Sequence, residues 1–340
     1  MSKLDAENRG SRSRNGGGRV KTGFAIFALT IVAAASSVDS AAQSIPVMGY
    51  VANDNAGPER IAAFRKGLAD LGYIEGKNLR IEYRYAKLDQ EYHPIMAELV
   101  SRKIDIILAG NAPAAVAAGK ATRTIPVVLA AVNDPVGLGV VESLDRPGRN
   151  VTGTTIYAPH LIGERLRIIK AIVPALDRVS IFMNSNNTNN PAQVALVSAA
   201  AKDLGIQVQS LDIRTPADVG PAVDKAIAWG AKGFFHCVDS FINSQRFAIA
   251  KLVAQNRRPV IYTDREYVLA GGLMSLGVGH LEGYYGAAKY VDKILRGANP
   301  ADLPIALPTK LTFSVSRSAL QNIDLPLPKE ISDRVTEWLP

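Results

Sequence analysis

The stretch AAVNDPVGLGVVESL, Ala130–Leu144, runs an apolar segment into Asn-Asp-Pro and then into a second apolar segment with a helix-like pattern. A buried strand, an Asp that caps free N–H groups and a Pro suited to a first helical turn explain that order. In this reading Asp134 caps a helix start, while Asn133 beside it faces whatever lies beyond the strand end. The same junction recurs along the chain. Short β-branched apolar runs predict strands at 45–51, 79–85, 105–110, 126–132, 150–156, 178–184, 206–213, 233–238, 259–263 and 273–278. Segments of helical period lie between them: Ile61, Phe64, Leu68 and Leu71 share one face, as do Leu281, Tyr284, Ala288, Val291 and Leu295. Such alternation marks parallel α/β structure, and five strands before residue 157 with about four more before 272 make two doubly wound lobes.

The lobes need not be contiguous in the chain. After Gly271-Gly272 the run LMSLGV and a helix over 280–296 can complete the first lobe, and TKLTFSVS can return to the second. The expected division is therefore 43–156 plus 273–305 for the first lobe and 157–272 plus 306–340 for the second. Hinges are expected near 156–158, 271–273 and 304–309.

The 340 residues, 47% of them hydrophobic, are enough for two domains with ample cores. Arg12, Arg14, Arg19 and Lys21 precede an apolar run from Phe24 to Ala35 and small residues ending near Ser40-Ala41-Ala42. That order predicts a secretory signal over residues 1–42, because twelve apolar residues fall short of the roughly 20 that span a bilayer; a retained anchor is the alternative. Residues 1–42 hold six of the 39 Lys/Arg and three of the 31 Asp/Glu, so the mature chain keeps a net charge of +5. An excess so mild and so dispersed argues against a nucleic-acid partner. The one cysteine, Cys237, lies inside an apolar run and not after the signal, so neither a lipid anchor there nor an internal disulfide is expected. The expected location is the periplasm, without lipid anchoring, and the expected state is a monomer.

Ligands of doubly wound sheets bind at the carboxyl ends of the strands, beside the point where strand order reverses. The polar strand ends give the candidate ligand-binding residues Asn53, Asn55, Asn111, Ala112, Asn133, Asp134, Tyr157, Asn184, Asn186, Asp239, Asp264, Arg265 and Glu266. For Asp134 the simple alternative is a helix cap. If Pro113 opens its helix with Ala112 at the cap position, the amides of 113–115 are free for a ligand carboxylate; capping by Asn111 is the rival. Arg265 and Glu266 form the charged pair expected to face a ligand, with plain surface solvation as the alternative. Tyr157 can stack on a ligand or pack between lobes.

Several catalytic signatures are missing. The first strand is followed by GYVANDNAG and not by a GxGxxG, so no dinucleotide cofactor is expected. His93, His160, His236 and His280 lack the spacing of metal ligands, and His236 beside Cys237 reads as a core pair. Ser240 after Asp239 has no Gly-x-Ser-x-Gly elbow. Binding without covalent chemistry is the expectation, with neither catalytic residues, metal nor cofactor.

Four segments, FRKGLADLGYIEGKNLRIEYRYA, IPVVLAAVNDPVGLGVVESLDRPGRNVTG, REYVLAGGLMSLGV and YVDKILRGANPADLPIALPTKLTFSVS, together resemble the solute-binding components of ABC transporters, in the family that includes tryptophan-type and other aromatic amino-acid binding proteins. The resemblance implies a type I periplasmic-binding-protein fold, two α/β lobes joined by three crossovers. It also implies cleft positions at Asn111-Ala112-Pro113, Asn133-Asp134-Pro135, Tyr157, Asp239 and Arg265-Glu266. ANDNAG and NSNNTNNPA depart from common members, which puts an aromatic ligand in question and suits a more polar solute. The implied function is capture of a small solute, an amino acid or related carboxylate, by hinge closure, followed by docking to an ABC permease in the inner membrane. A sensing module for a receptor kinase and an exported enzyme using Asp239 or Glu266 as a base are the alternatives.

Overall fold

Each of the ten predicted strand segments overlaps a strand of the computed structural model, which describes residues 44–53 and 57–340. The signal read over 1–42 and Asn55 lie outside the described residues. The first half of the chain runs β1 (Val47–Asn53), α1 (Pro58–Asp70), β2 (Arg80–Ala86), α2 (Tyr92–Ser101), β3 (Ile106–Ala109), α3 (Ala112–Ala121), β4 (Val127–Val132) and β5 (Val151–Thr155). Then come α4 (Leu161–Ile172), β6 (Arg178–Met183), α5 (Asn190–Asp203), β7 (Gln207–Asp212), α6 (Val219–Trp229), β8 (Gly233–His236), α7 (Ser240–Ser244) and α8 (Arg246–Gln255). The chain ends with β9 (Ile261–Tyr262), α9 (Arg265–Leu269), β10 (Met274–Val278), α10 (His280–Leu295), β11 (Leu311–Ser316), α11 (Arg317–Ile323), α12 (Lys329–Ser332) and β12 (Glu337–Leu339).

The first sheet has the order β2-β1-β3-β4-β5 and is parallel throughout. In the second lobe β7-β6-β8 is likewise parallel, and a bridge from Phe234 to Val260 carries it on to β9 and β10. Both lobes thus repeat one strand order, 2-1-3-4-5, although the sequence shows no repeat. The second sheet then gains β11, antiparallel to β10, and β12. This is an α/β protein of the type I periplasmic-binding-protein fold, with two doubly wound lobes joined by three crossovers.

Two expectations need correction. Residues 274–278 pair with β9 and β11, so they belong to the second sheet and not to the first lobe. The crossover expected at 271–273 lies instead between β10 and α10, near 278–280. α10 does pack on the first lobe, against α1, β4 and β5, as its apolar face predicted. The third crossover returns past Ala306, which bridges to Thr154 before β11 begins. Second, no helix follows Asn133-Asp134-Pro135. Leu138 and Val140 donate to the carbonyls of Asp134 and Pro135, which makes one turn, and Gly139 at φ +68° ends it.

Small residues let the elements approach closely where the crossovers meet. Gly283 of α10 rests on Ala131 of β4, and the Thr154 hydroxyl donates to the Gly283 carbonyl. In β10, a Cβ at Gly277 would collide with the Thr263 carbonyl oxygen. A Gly277→Ala variant should therefore lose about 1–3 kcal/mol of stability through overpacking against backbone that has no rotamer to yield. Urea unfolding followed by circular dichroism measures this, and a midpoint equal to the parent's contradicts it.

Candidate functional site

The carboxyl ends of both sheets face one gap. Strand β4 carries a bulge between Leu129 and Val132, and Ala131 within it sits at φ +57°. That left-handed backbone is costly for a residue with a Cβ. It is held by Thr154, whose hydroxyl accepts from the Ala131 N–H at 2.9 Å. Asp134, also left-handed at φ +43°, accepts from the Gly137 N–H and so caps the following turn. Between the two, Asn133 lines the gap and makes no side-chain hydrogen bond among the described residues.

The resulting interlobe cavity is walled by Asn111, Ala112 and Asn133 from the first lobe and by Asn187, His236 and Asp239 from the second, with Asp264 and His280 at one end. It encloses about 50 Å³. A second cavity of about 40 Å³ adjoins it, sharing Asn133, Ile156, His236, Val238 and Thr263, and reaches Tyr157 and Arg165. Each has room for only a few waters, so a solute of amino-acid size must part the lobes to get in.

Three charged side chains, Arg60, Asp239 and Asp264, stand in the wall of the interlobe cavity. Arg60 of α1 reaches across to Glu266 of α9 with its Nε and Nη2 both donating, at 2.7–2.9 Å, and its side chain is only 7% exposed. Asn243 adds a donor to the same carboxylate. Asp264 caps α9 by accepting from the Glu266 N–H, contacts His280 Nδ1 with its other oxygen, and lies 4.0 Å from Arg60. Burial pushes the Asp264 carboxyl up, but His280 and Arg60 more than reverse this and hold it well below the usual carboxylate range. Asp239 caps α7 through the Ile242 N–H and accepts from Asn187 Nδ2 at 2.7 Å. Its donors are neutral and it has no cation partner among the described residues, so burial drives its carboxyl above the ordinary value. Asp264, Glu266 and His280 bring their ligand atoms within 4.8 Å of one another, a spacing that could suit a metal ion. Arg60 beside them already supplies the positive charge that an ion would bring, so the donor set does not fit one.

His236, read from the sequence as a core residue, is buried yet also walls both cavities. Its Nε2 accepts from the Thr263 N–H, which makes Nδ1 the protonated nitrogen, donating to the Cys237 carbonyl. Burial, assisted by the Arg165 charge, pushes its pKa down to about 4. The ring ties the Thr263–Asp264 loop to β8.

Of the residues named from the sequence, Asn111, Ala112, Asn133, Asp239 and Asp264 line the interlobe cavity and Tyr157 its neighbour. Glu266 lies between the lobes but is taken up by Arg60. The others depart from expectation. Arg265 pairs with Glu337 and, with it, lines a separate cavity of about 500 Å³ that also takes in Glu59, Glu266 and His280. Asp134 caps its turn, the role its place before Pro135 suggests, and does not line the cavity. Asn53 ends β1 without lining either cavity. Asn184 is buried and accepts from the Asn186 N–H, Asn186 is exposed, and the residue of this loop that reaches the cavity is Asn187. The amides expected to await a carboxylate at α3 are engaged: Asn111 is the cap, its Oδ1 accepting from Ala114 N–H at 2.9 Å, and Ala115 N–H donates to the Asn111 carbonyl. Pro113 has no N–H to offer. Sequence reading missed Arg60, Asn243, His280 and Arg165, and from the strand end 184–187 it chose Asn184 and Asn186 over Asn187. Arg165 alone carried a signal, as a cation on the apolar stripe Leu161, Ile168, Ile169 and Ile172.

Among the described residues no helix is long and apolar enough to cross a membrane. The family model described as ABC transporter substrate binding protein matches residues 44–338. A tyrosine-binding protein of Clostridioides difficile (strain R20291) is 29% identical over 263 residues, covering 77% of this chain and 75% of that protein. Among solved structures, an ABC domain in complex with L-Trp from Streptococcus pneumonia superposes with a TM-score of 0.81 at 21% identity, over 87% of this chain and 100% of that one. The ligand-free, open structure of a substrate binding protein with adhesive properties from Clostridium difficile gives 0.64 at 25% identity, over 86% and 99%.

Two outcomes follow from the geometry. Arg60→Ala should cost about 3–5 kcal/mol by stranding a buried carboxylate, whereas Arg60→Met combined with Glu266→Leu should recover most of that; chemical denaturation of the three proteins decides it. The second concerns pH. His236 is held neutral in the fold, while an unfolded histidine titrates near 6.5, so its contribution is complete above pH 6.5 and is lost as pH falls toward 4. The loss should reach about 3 kcal/mol, and His236→Gln should flatten the stability curve in that window.

Proposed function

Since the chain belongs to the ABC transporter substrate-binding protein family, we propose that it is the periplasmic receptor of an ABC importer, capturing an α-amino acid or related carboxylate between its lobes. The observation that carries this is the interlobe cavity, which draws its walls from both lobes and keeps a buried carboxylate, Asp239, without a cation. An ammonium group meets that need. The binding partners named for the relatives, tyrosine and tryptophan, point to the same chemical class.

By composition the Asn-rich loop suits a more polar solute. Its amides, however, serve one another: Asn190 Oδ1 accepts from Asn184 N–H, Asn184 Oδ1 from Asn186 N–H and Asn187 Oδ1 from Asn189 N–H. The loop is therefore no argument against an aromatic amino acid. Hinge closure over the three crossovers supplies the mechanism, and the Arg60–Glu266 contact exists only when the lobes are together. An open, ligand-free form among the solved relatives supports the same motion. The closed receptor then presents both lobes to a permease in the membrane. Export to the periplasm rests on the basic and apolar order of residues 1–42.

A thermal-shift screen of the twenty amino acids, short carboxylates, sugars and purines tests this reading. A ligand at a hundred times its dissociation constant adds about 2.7 kcal/mol of stability, and we expect that gain from one or more amino acids. A response to sugars or purines alone defeats the reading. Small-angle scattering should show a smaller radius with the ligand than without it.

A further inference from the structure

Resting on the carboxylate reading above, we infer that Arg165 is the specificity residue that receives the solute's carboxylate. Arg165 stands in the middle of the buried stripe of α4 and is 5% exposed. The guanidinium spends one donor, Nε to the Leu276 carbonyl at 2.6 Å, which anchors the side chain to β10. The guanidinium pairs with no carboxylate among the described residues, and the cavity it lines contains no Asp or Glu. Arg60, equally buried, is clasped by Glu266. A buried cation without an anion is costly unless one arrives from outside, and a guanidinium with its terminal nitrogens uncommitted suits the two oxygens of a carboxylate.

The surroundings agree. His236, in the wall shared by both cavities, is neutral and does not compete for the anion. Across that wall Asp239 is the matching carboxylate without a cation. Joined cavities holding one unanswered charge of each sign are complementary to a zwitterion.

The test uses isothermal titration on the mature chain and on Arg165→Met and Arg165→Lys. L-tyrosine and L-tryptophan are compared with tyrosinamide, tryptophanamide and 3-(4-hydroxyphenyl)propanoate, with the twenty amino acids and aliphatic dicarboxylates as a wider panel. The parent should prefer acid over amide by about 10- to 100-fold. Arg165→Met should erase that preference while melting no lower than the parent, and Arg165→Lys should keep part of it. An acid-over-amide preference that survives in Arg165→Met overturns the assignment yet leaves the amino-acid reading intact. Binding of the propanoate alone, lost in Arg165→Met, upholds the assignment and defeats the amino-acid reading. No binding by any carboxylate overturns both. Should Arg165→Met fail to fold, an undiminished preference in Arg165→Lys overturns the assignment.

Discussion

Arg60 and Glu266 are separated by 206 residues and belong to different lobes, yet their side chains meet in a two-pronged contact shielded from water. Each alone would be an unpaired charge at the mouth of the gap. Together they make the closed arrangement self-consistent, and Asp264 and Asn243 complete a network on the same spot. The closing force from such a pair is modest, because desolvation offsets much of the attraction. On the proposed hinge closure, a solute therefore still decides the balance through its own contacts with both lobes.

Precision at the gap is obtained through local strain. Ala131 and Asp134, two left-handed residues without glycine's freedom, flank Asn133 in the stretch that also marks the fold. Thr154 holds the first by accepting its N–H and donates to Gly283 of α10, so the bulge, the last strand of the sheet and the returning helix lock one another. Tyr284 of the same helix donates to the Gly110 carbonyl at the end of β3. The strand ends that face the solute cavity are thus fixed by a helix that arrives more than a hundred residues later in the chain.

This explains what could and could not be read from the residues. Strand positions follow from short apolar runs, and these were legible. Which sheet 274–278 joins was not, since its apolar pattern is the same for either partner and the choice lies with β11, a strand reached only after α10 has crossed over. Strand ends pointed to Asn133 and Asp239 because loops at carboxyl ends converge. A strand-end position alone does not say whether an amide or acid is spent locally: the place before Pro135 marked Asp134 as a cap, whereas Asn111 was open between two roles and Asn184 carried no such mark, and all three are engaged. Arg60 and His280 stayed hidden because they lie within helices, where nothing local separates a reaching cation from a solvated one.

The distribution of charge between the lobes also orders the binding event. Arg165 and Asp239 both project from the second lobe, whereas the first lobe's Arg60 is already paired with Glu266 and its Asn111, Ala112 and Asn133 offer neutral contacts. On the assignment of a carboxylate to Arg165, a zwitterion meets its two strongest partners on one lobe before the other moves. The first lobe then adds hydrogen bonds and excludes water, which strengthens the charge contacts already made. Closure in that sequence needs no long-range attraction between solute and first lobe. It needs only that Asn133 arrive in a fixed position, and the strained, Thr154-braced end of β4 provides that position.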